Sequence, residues 1–270
     1  MRRQYRKQWM RWHKGYESYA NVKFKRMFKK IALNIPLEIL SESNYTDVLN
    51  EFIPVNSFNQ SFKEVYKDIG LIHGERTGKQ INQQIKAIGL KFFTLDDFIS
   101  LFERNIISFL LEGGGSRIVS VRTSYISFIN EIIATGINDN KTMSQITTSL
   151  DKMFNSRKWY RWQSSRIART ETTTAANLAA LTSSEVSGFE MQKEWISAID
   201  NRTRRGIKSK FNHYDMNGVR VDLNQDFNVS GEKMMFPGDI KGSAGNVINC
   251  RCTVAQIPKR DSKGRLIRKK

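Results

Sequence analysis

The chain has 270 residues, 39% of them hydrophobic, and a formal net charge of +18. That is enough for a sizeable core split over two domains. No run of 18 uncharged apolar residues occurs, which excludes a membrane-spanning helix, and the basic start lacks the apolar segment of a signal peptide.

Two cysteines are too few for a disulfide framework and point to a reducing compartment, so the expectation is a soluble, cytoplasmic product. The charge is unevenly spread. Residues 1–30 carry eleven Lys/Arg against Glu17, and residues 258–270 carry seven against Asp261, so the ends hold 16 of the 18 charges. A near-neutral body with two cationic ends suits a folded protein that meets a polyanion without reading sequence. The candidate contacts are Arg2, Arg3, Arg6, Lys7, Arg11 and Lys14 at one end. At the other they are Lys259, Arg260, Arg265, Arg268, Lys269 and Lys270. Tails that merely aid solubility are the plainer alternative, and attraction to an anionic membrane surface a weaker one.

In chain order, the first element is a helix. Tyr5, Trp9, Trp12, Tyr16 and Tyr19 recur at spacings of four, three, four and three, which puts them on one helical face with the basic residues around it. Such a stripe is buried either in the chain's own core or against a partner subunit, and here it is the candidate docking face. Base stacking is the weaker alternative, because it needs an open surface. The chain then reads as mostly helical to about residue 187. "FTLDDFISLFERNIISFLLE" starts like a capping box at Thr94 and Asp97, and "GGGS" at 113–116 breaks the pattern before "RIVSVRTSYISFINEIIA". Thr142 or Ser144 caps the next helix, and residues 156–187 form one long helix ending near Gly188.

Beyond Gly188 the texture changes. "FEMQKEWISAID", "NGVRVDL" and "NVINCRCTVAQI" read as strands separated by glycine-marked turns. The fold class is therefore α+β, a mainly helical N-terminal region followed by a small α+β C-terminal domain. Four parts are expected: a basic aromatic arm at 1–32, a helical region at 33–155, a domain at 156–257 and a basic tail at 258–270.

"NVINCRC" holds both cysteines. On a strand, Cys250 and Cys252 share a face and Arg251 takes the other. With His213 they could hold zinc, given a fourth ligand from Asp200, Asp215 or Asp239, although the usual gap of two to four residues between thiols is absent. Inert buried thiols and an oxidisable pair are the alternatives, and the residues by themselves call for no cofactor. Asp200, Arg202, Arg204, His213 and Asp215 could do acid–base or phosphate chemistry, but such clusters more often form ion pairs that hold an irregular loop. There is no GxSxG, HExxH or phosphate-loop motif, and no complete catalytic constellation, so an enzyme is not expected.

Taken in order, "IARTETTTAAN" (167–177), "WISAIDNRTR" (195–204), "HYDMNG" (213–218), "FPGD" (236–239) and "NVINCRC" (246–252) resemble the phage Mu F-like head morphogenesis family over about residues 156–257. The matching positions are Arg169, Thr170 and Glu171; Trp195, Asp200, Arg202, Thr203 and Arg204; His213 and Gly218; Pro237, Gly238 and Asp239; and Asn249, Cys250, Arg251 and Cys252. The stretch from Arg204 to His213 is longer than in the family pattern. The resemblance implies that Asn-Cys-Arg-Cys closes the C-terminal domain, with Asn249 and Arg251 satisfying polar groups near the Pro-Gly-Asp turn.

The resemblance also implies a minor head protein of a tailed phage, inside the capsid near the portal, and in the host cytoplasm during assembly. Its partners would be the portal protein, packaged double-stranded DNA, and scaffold or major capsid protein. It would act in head morphogenesis or genome ejection. The family domain is also found joined to toxin domains and is similar in shape to ADP-ribosyltransferases, which makes an effector enzyme the alternative. Against it, the chain has no Glu-x-Glu pair. A metal-dependent nuclease built on His213 and Asn249 is a further, weaker alternative.

Overall fold

The computed structural model describes residues 2–85, 94–207 and 209–269; at 112, 113 and 157–162 the backbone alone is described. The helices run in the order α1 (Arg2–Leu33), α2 (Tyr45–Phe52), α3 (Val55–Ile85), α4 (Leu95–Phe109), α5 (Gly115–Asn138), α6 (Met143–Asn155) and α7 (Arg157–Glu185). A small C-terminal region follows, with β1 (Met191–Ile196), β2 (Arg220–Asp222), β3 (Phe227–Val229), β4 (Glu232–Met234), α8 (Ala244–Val247) and β5 (Thr253–Pro258). The fold is α+β. None of the described helices is long and apolar enough to cross a membrane.

Side-chain caps open α4 and α6. The Thr94 side chain accepts from Asp97 N at 3.3 Å, and Thr142 with Gln145 forms a reciprocal capping box. Phe93 and Lys270, both used in the sequence reading, lie outside the described residues. The expected break at GGGS does not occur. A π-helical turn at Leu110–Gly114 carries α4 directly into α5, because wider i→i+5 bonding absorbs extra residues without ending the helix.

The helical core is aromatic. Phe24 meets Phe62 at a centroid distance of 4.9 Å, and Phe28 stacks on Tyr125 at 5.0 Å. On α3, Gly70 and Gly74 lie one turn apart beneath the stacked rings of Phe102 and Phe98; a Cβ at either glycine would come within 1.9 Å of the ring above it. Here glycine's helix penalty of about 1 kcal/mol is the condition for close packing of α4 on α3.

The aromatic stripe of α1 lies in this chain's own core, so it is not a surface for docking a partner. Trp9 is fully buried and Tyr16 nearly so, while Tyr5, Trp12 and Tyr19 pack partly buried against the same cluster. Each finds an internal partner: Tyr5 Oη donates to Val254 O, Tyr16 Oη takes a bond from Arg76, Tyr19 Oη donates to Asp68, and the Arg76 guanidinium lies over Trp12. An amphipathic helix buries its apolar stripe where a matching groove exists, and α7 with α3 supplies it.

Strands β2, β1 and β5 form an antiparallel sheet in that order, with Trp195 opposite Val254. Strands β3 and β4 form a hairpin that the sequence reading missed. Its turn, Ser230 and Gly231, has φ of 53° and 93°. A two-residue Ser-Gly loop with both φ positive is the turn such a hairpin needs. The expected third strand is shorter than "NVINCRCTVAQI": its first residues form α8 and a turn, and β5 starts only at Thr253. Residues 259–269 do not trail free. Glu190 N bonds to Ile267 O, Lys259 N to Glu190 O, and Lys269 N to Gly188 O, folding the segment back along the start of β1.

Candidate functional site

The long helix α7 presents a row of small polar side chains to the C-terminal region, and each pins a particular backbone group. Thr170 Oγ1 accepts from Asn249 N at 3.1 Å, and Thr173 Oγ1 donates to Cys250 O at 2.6 Å. Thr174 Oγ1 donates to Gly238 O at 2.8 Å. Asn177 makes four bonds: its amide donates to Pro237 O and Cys252 O, and its oxygen accepts from Thr253 Oγ1 and Val254 N. Positions 170, 173 and 177 share one helical face, which is why "RTETTTAAN" tracks the extended segment beside it. Ser, Thr and Asn suit this work because they carry hydrogen-bonding groups on short stems.

The Asn-Cys-Arg-Cys segment is tethered at every residue. Asn249 has φ of 61°, a left-handed conformation that asparagine tolerates, and its Oδ1 accepts from Arg169 at 2.9 Å. The Arg251 carbonyl accepts from Trp9 Nε1 at 2.8 Å. The Arg251 side chain is 7% exposed and binds Asp200 with two nitrogens, at 2.6 and 2.8 Å. Asp200 Oδ1 also accepts from Arg202 N and Thr203 Oγ1. Burial would raise the Asp200 carboxyl, but Arg251 and these donors outweigh it and hold the group below its ordinary value. Ile199, just before this turn, sits at φ 51°, which is unusual for a β-branched residue.

Arg204 donates to Ile248 O at 2.5 Å, and its own carbonyl takes His213 N and Tyr214 N. Asp215 pairs with Asn212 at the surface. The polar cluster of Asp200 and Arg204 therefore holds an irregular loop in place. Gly218 (φ 92°) bonds to Trp195 O and lies against Arg2. Gly238 (φ 91°) is packed so closely on α7 that a Cβ would stand 2.9 Å from Thr174 Oγ1, and Asp239 closes the turn by accepting from Met235 N and Lys241 N. Glu171 faces the other way, accepting from Tyr66 Oη at 2.6 Å and pairing with Arg117 at 3.3 Å.

Three metal-binding side chains meet under this lattice. His213 Nδ1 lies 3.5 Å from Cys250 Sγ and 3.7 Å from Cys252 Sγ, and the three ligand atoms fall within 4.8 Å of one another. All three residues are at most 2% exposed, and neither cysteine is in a disulfide. A hydrogen bond from the Cys252 thiol, opposed by burial, pushes Cys250 well below its ordinary value; the same neighbour and burial push Cys252 up. The cysteines sit in the extended turn before β5 rather than on a strand, yet both still face His213. Of the fourth ligands considered from sequence, Asp200 is committed to Arg251, Asp215 to Asn212 and Asp239 to its turn. Among the described residues no carboxylate joins the group.

The ring of His213 faces Asn246, not Asn249. His213 Nε2 is 2.5 Å from Asn246 Oδ1, while Asn249 is held by Arg169 on the other side of the turn. The pair needed for a histidine–asparagine nuclease is therefore not assembled. Asn246 went unnoticed in the sequence, where it is one more polar residue in a glycine-rich loop. Lys193 also went unnoticed. It is fully buried on β1 against Phe227 and Met235, and burial pushes its pKa down to about 8.

The basic candidates divide. Arg3, Lys7, Arg11 and Lys14 are exposed on the outer side of α1. Arg2 pairs with the buried Glu194 at 2.5 Å, and Arg6 reaches Ser197 O and Asn217. Lys259 pairs with Asp222 and Glu190, Arg265 with Asp261, Arg260 with Gly264 O, and Lys269 with the carbonyls of Ser184 and Glu185. Arg268 is exposed and its segment bridges to Phe189.

Residues 128–255 match the family model described as Phage Mu protein F like protein. The chain is also similar to the NAD(+)–arginine ADP-ribosyltransferase EFV of Enterococcus faecalis. The two are 26% identical over 144 residues, covering 52% of this chain and 28% of that protein. The chain thus spans little more than a quarter of that relative's length. No solved structure matches it.

Proposed function

We propose, from the match of residues 128–255 to the family model described as Phage Mu protein F like protein, that the chain is a minor head protein of a tailed phage. Head morphogenesis is the reading the family supports directly. The finer reading places the protein inside the capsid near the portal vertex, in contact with packaged DNA, with a part in assembly or genome ejection.

The family match carries the proposal, and the charge distribution supports it. Arg3, Lys7, Arg11 and Lys14 recur at spacings of four, four and three along the exposed side of α1. Such a stripe can replace counterions along a phosphate backbone without reading bases. Arg2 and Arg6 are tied into the C-terminal region, so this stripe is the favoured polyanion contact. Quantitative mass spectrometry of purified particles is the test. A count near or below that of the portal supports the reading, and absence from particles despite abundance in infected cells overturns it. Replacing the four stripe residues by glutamate should lower the salt dependence of duplex DNA binding by about 0.9 log unit per lost phosphate contact. An unchanged slope removes the stripe from the proposal.

A second reading, an effector that transfers ADP-ribose, is favoured only by the relative from Enterococcus faecalis, which shares 28% of its length. The chain has no Glu-x-Glu pair. Release of nicotinamide from NAD by the full chain, above a buffer control, would bring this reading forward.

A further inference from the structure

We propose that His213 Nδ1 and the sulfurs of Cys250 and Cys252 bind one zinc ion. This goes beyond the head-protein reading and does not depend on it.

The first argument is the tautomer of His213. The Asn246 amide nitrogen lies 2.9 Å from Glu232 Oε2 and 3.4 Å from Val229 O, and both of those oxygens can only accept. Asn246 Oδ1 is therefore the atom turned to His213, and at 2.5 Å it takes the proton of Nε2. In the neutral ring that tautomer puts the lone pair on Nδ1, the atom that faces the two sulfurs. An imidazole whose other nitrogen donates to a fixed acceptor is the usual arrangement of a metal ligand.

The second argument is distance. Bonds of about 2.3 Å to sulfur and about 2.0–2.1 Å to nitrogen, set at the tetrahedral angle, place S and N about 3.5 Å apart. The structure has 3.5 and 3.7 Å. One ion satisfies all three atoms.

The third argument is rigidity. The carbonyls of residues 250, 251 and 252 are held by Thr173, Trp9 and Asn177, so the sulfurs are carried on a fixed backbone. Cys252 N approaches Cys250 Sγ at 3.5 Å, an N–H···S contact that favours a thiolate. The ring of Trp195 stands edge-on to His213 at 5.5 Å and walls the site. Two thiolates and an imidazole favour a borderline-soft ion such as zinc over calcium or magnesium. The three residues themselves, with Ala198, Thr203 and Arg204 among others, line a small cavity of about 10 Å³, the space of a single ion or water. Both thiols release their protons to solvent on binding, and nothing is oxidised.

The test uses the full chain, stripped with chelator, reloaded with zinc under reducing conditions and dialysed. Elemental analysis should find one zinc per chain. Cobalt loaded in its place should give the strong near-ultraviolet absorption of thiolate-to-cobalt charge transfer together with the visible bands of tetrahedral cobalt. Cys250→Ser, Cys252→Ser and His213→Gln should each abolish stoichiometric binding. Asn246→Ala, which leaves all three ligands, should weaken affinity by about 10–100-fold. Less than about a tenth of an equivalent in reloaded wild-type chain that is folded by circular dichroism overturns the proposal, as does a cobalt spectrum without the charge-transfer band. Both readouts come from wild-type chain, so they decide the matter even if a ligand variant fails to fold.

Discussion

The indole Nε1 of Trp9 donates to the carbonyl oxygen of Arg251 at 2.8 Å, joining positions 242 residues apart in the chain. The bond is buried, and Trp9 itself is fully enclosed. One end of the chain is thereby a structural part of the segment that carries both cysteines. Trp9→Ala should cost about 3–5 kcal/mol through the lost burial and the cavity left behind. Trp9→Phe keeps much of the apolar volume but strands the Arg251 carbonyl, at about 1–3 kcal/mol. Urea unfolding of the two variants measures both. A Trp9→Phe protein as stable as wild type would mean that the carbonyl finds another donor.

The sequence carried the helices well because their signals are local. Thr94 and Thr142 mark helix starts by capping chemistry that acts within a single turn, and Gly188, at φ 72°, turns the chain just beyond α7. The aromatic period of α1 was equally plain, but a period reports that a face is buried and not what covers it. The covering groove is built by α3 and α7, distant in sequence: Asp68 lies 49 residues from Tyr19, and Thr173 lies 160 from His13. At the site, His213, Cys250 and Cys252 were visible as candidate ligands by residue type. Asn246 was not, because its role depends on Glu232 and Val229, which only the folded hairpin of β3 and β4 brings near. GGGS misled because glycine permits a break without requiring one, and here a π-turn carries the helix through.

Asn177 is the most heavily used side chain between α7 and the sheet. Its two amide protons and both acceptor positions are taken by Pro237 O, Cys252 O, Thr253 Oγ1 and Val254 N. Asn177→Asp preserves shape but removes both donors and sets a buried carboxylate against two carbonyl oxygens. It should destabilise by about 3 kcal/mol or more, whether the acid stays charged or is forced to take up a proton. Asn177→Leu should cost a similar amount by leaving four polar partners unsatisfied. Chemical unfolding measures the loss, and a change below about 1 kcal/mol in both would show that water replaces the amide.

The pairing of Arg251 with Asp200 is bidentate and mostly buried on the arginine side. A planar guanidinium can present two parallel N–H groups to a carboxylate, whereas an ammonium acts as a point charge. Arg251→Lys should therefore not restore what Arg251→Ala loses. A double-mutant cycle of Arg251→Ala with Asp200→Ala should return a coupling of about 1–3 kcal/mol. A value near zero would reduce the pair to an ordinary surface ion pair.

His13 and His73 give the fold an acid sensitivity that can be read in advance. Burial pushes each down to about 3, and neighbouring positive groups add to it: Arg251 and Arg169 face His13, and Arg76 faces His73. His13 Nδ1 lies 3.7 Å from Glu17, but at neutral pH the ring is uncharged, so this is not an ion pair there. In the unfolded chain both rings titrate at about 6.5. Because the folded values are the lower ones, the unfolded state binds more protons between them. The stability from keeping the rings neutral is complete above about pH 6.5 and is lost progressively as pH falls toward 3. Unfolding free energy should thus decline from pH 7 to pH 4.5, more steeply than in a His73→Gln variant, which has one fewer ring to protonate. If the two proteins show the same slope, His73 is not buried as a neutral ring, and carboxyls held below their ordinary values, such as Asp200 and Glu194, account for the acid response.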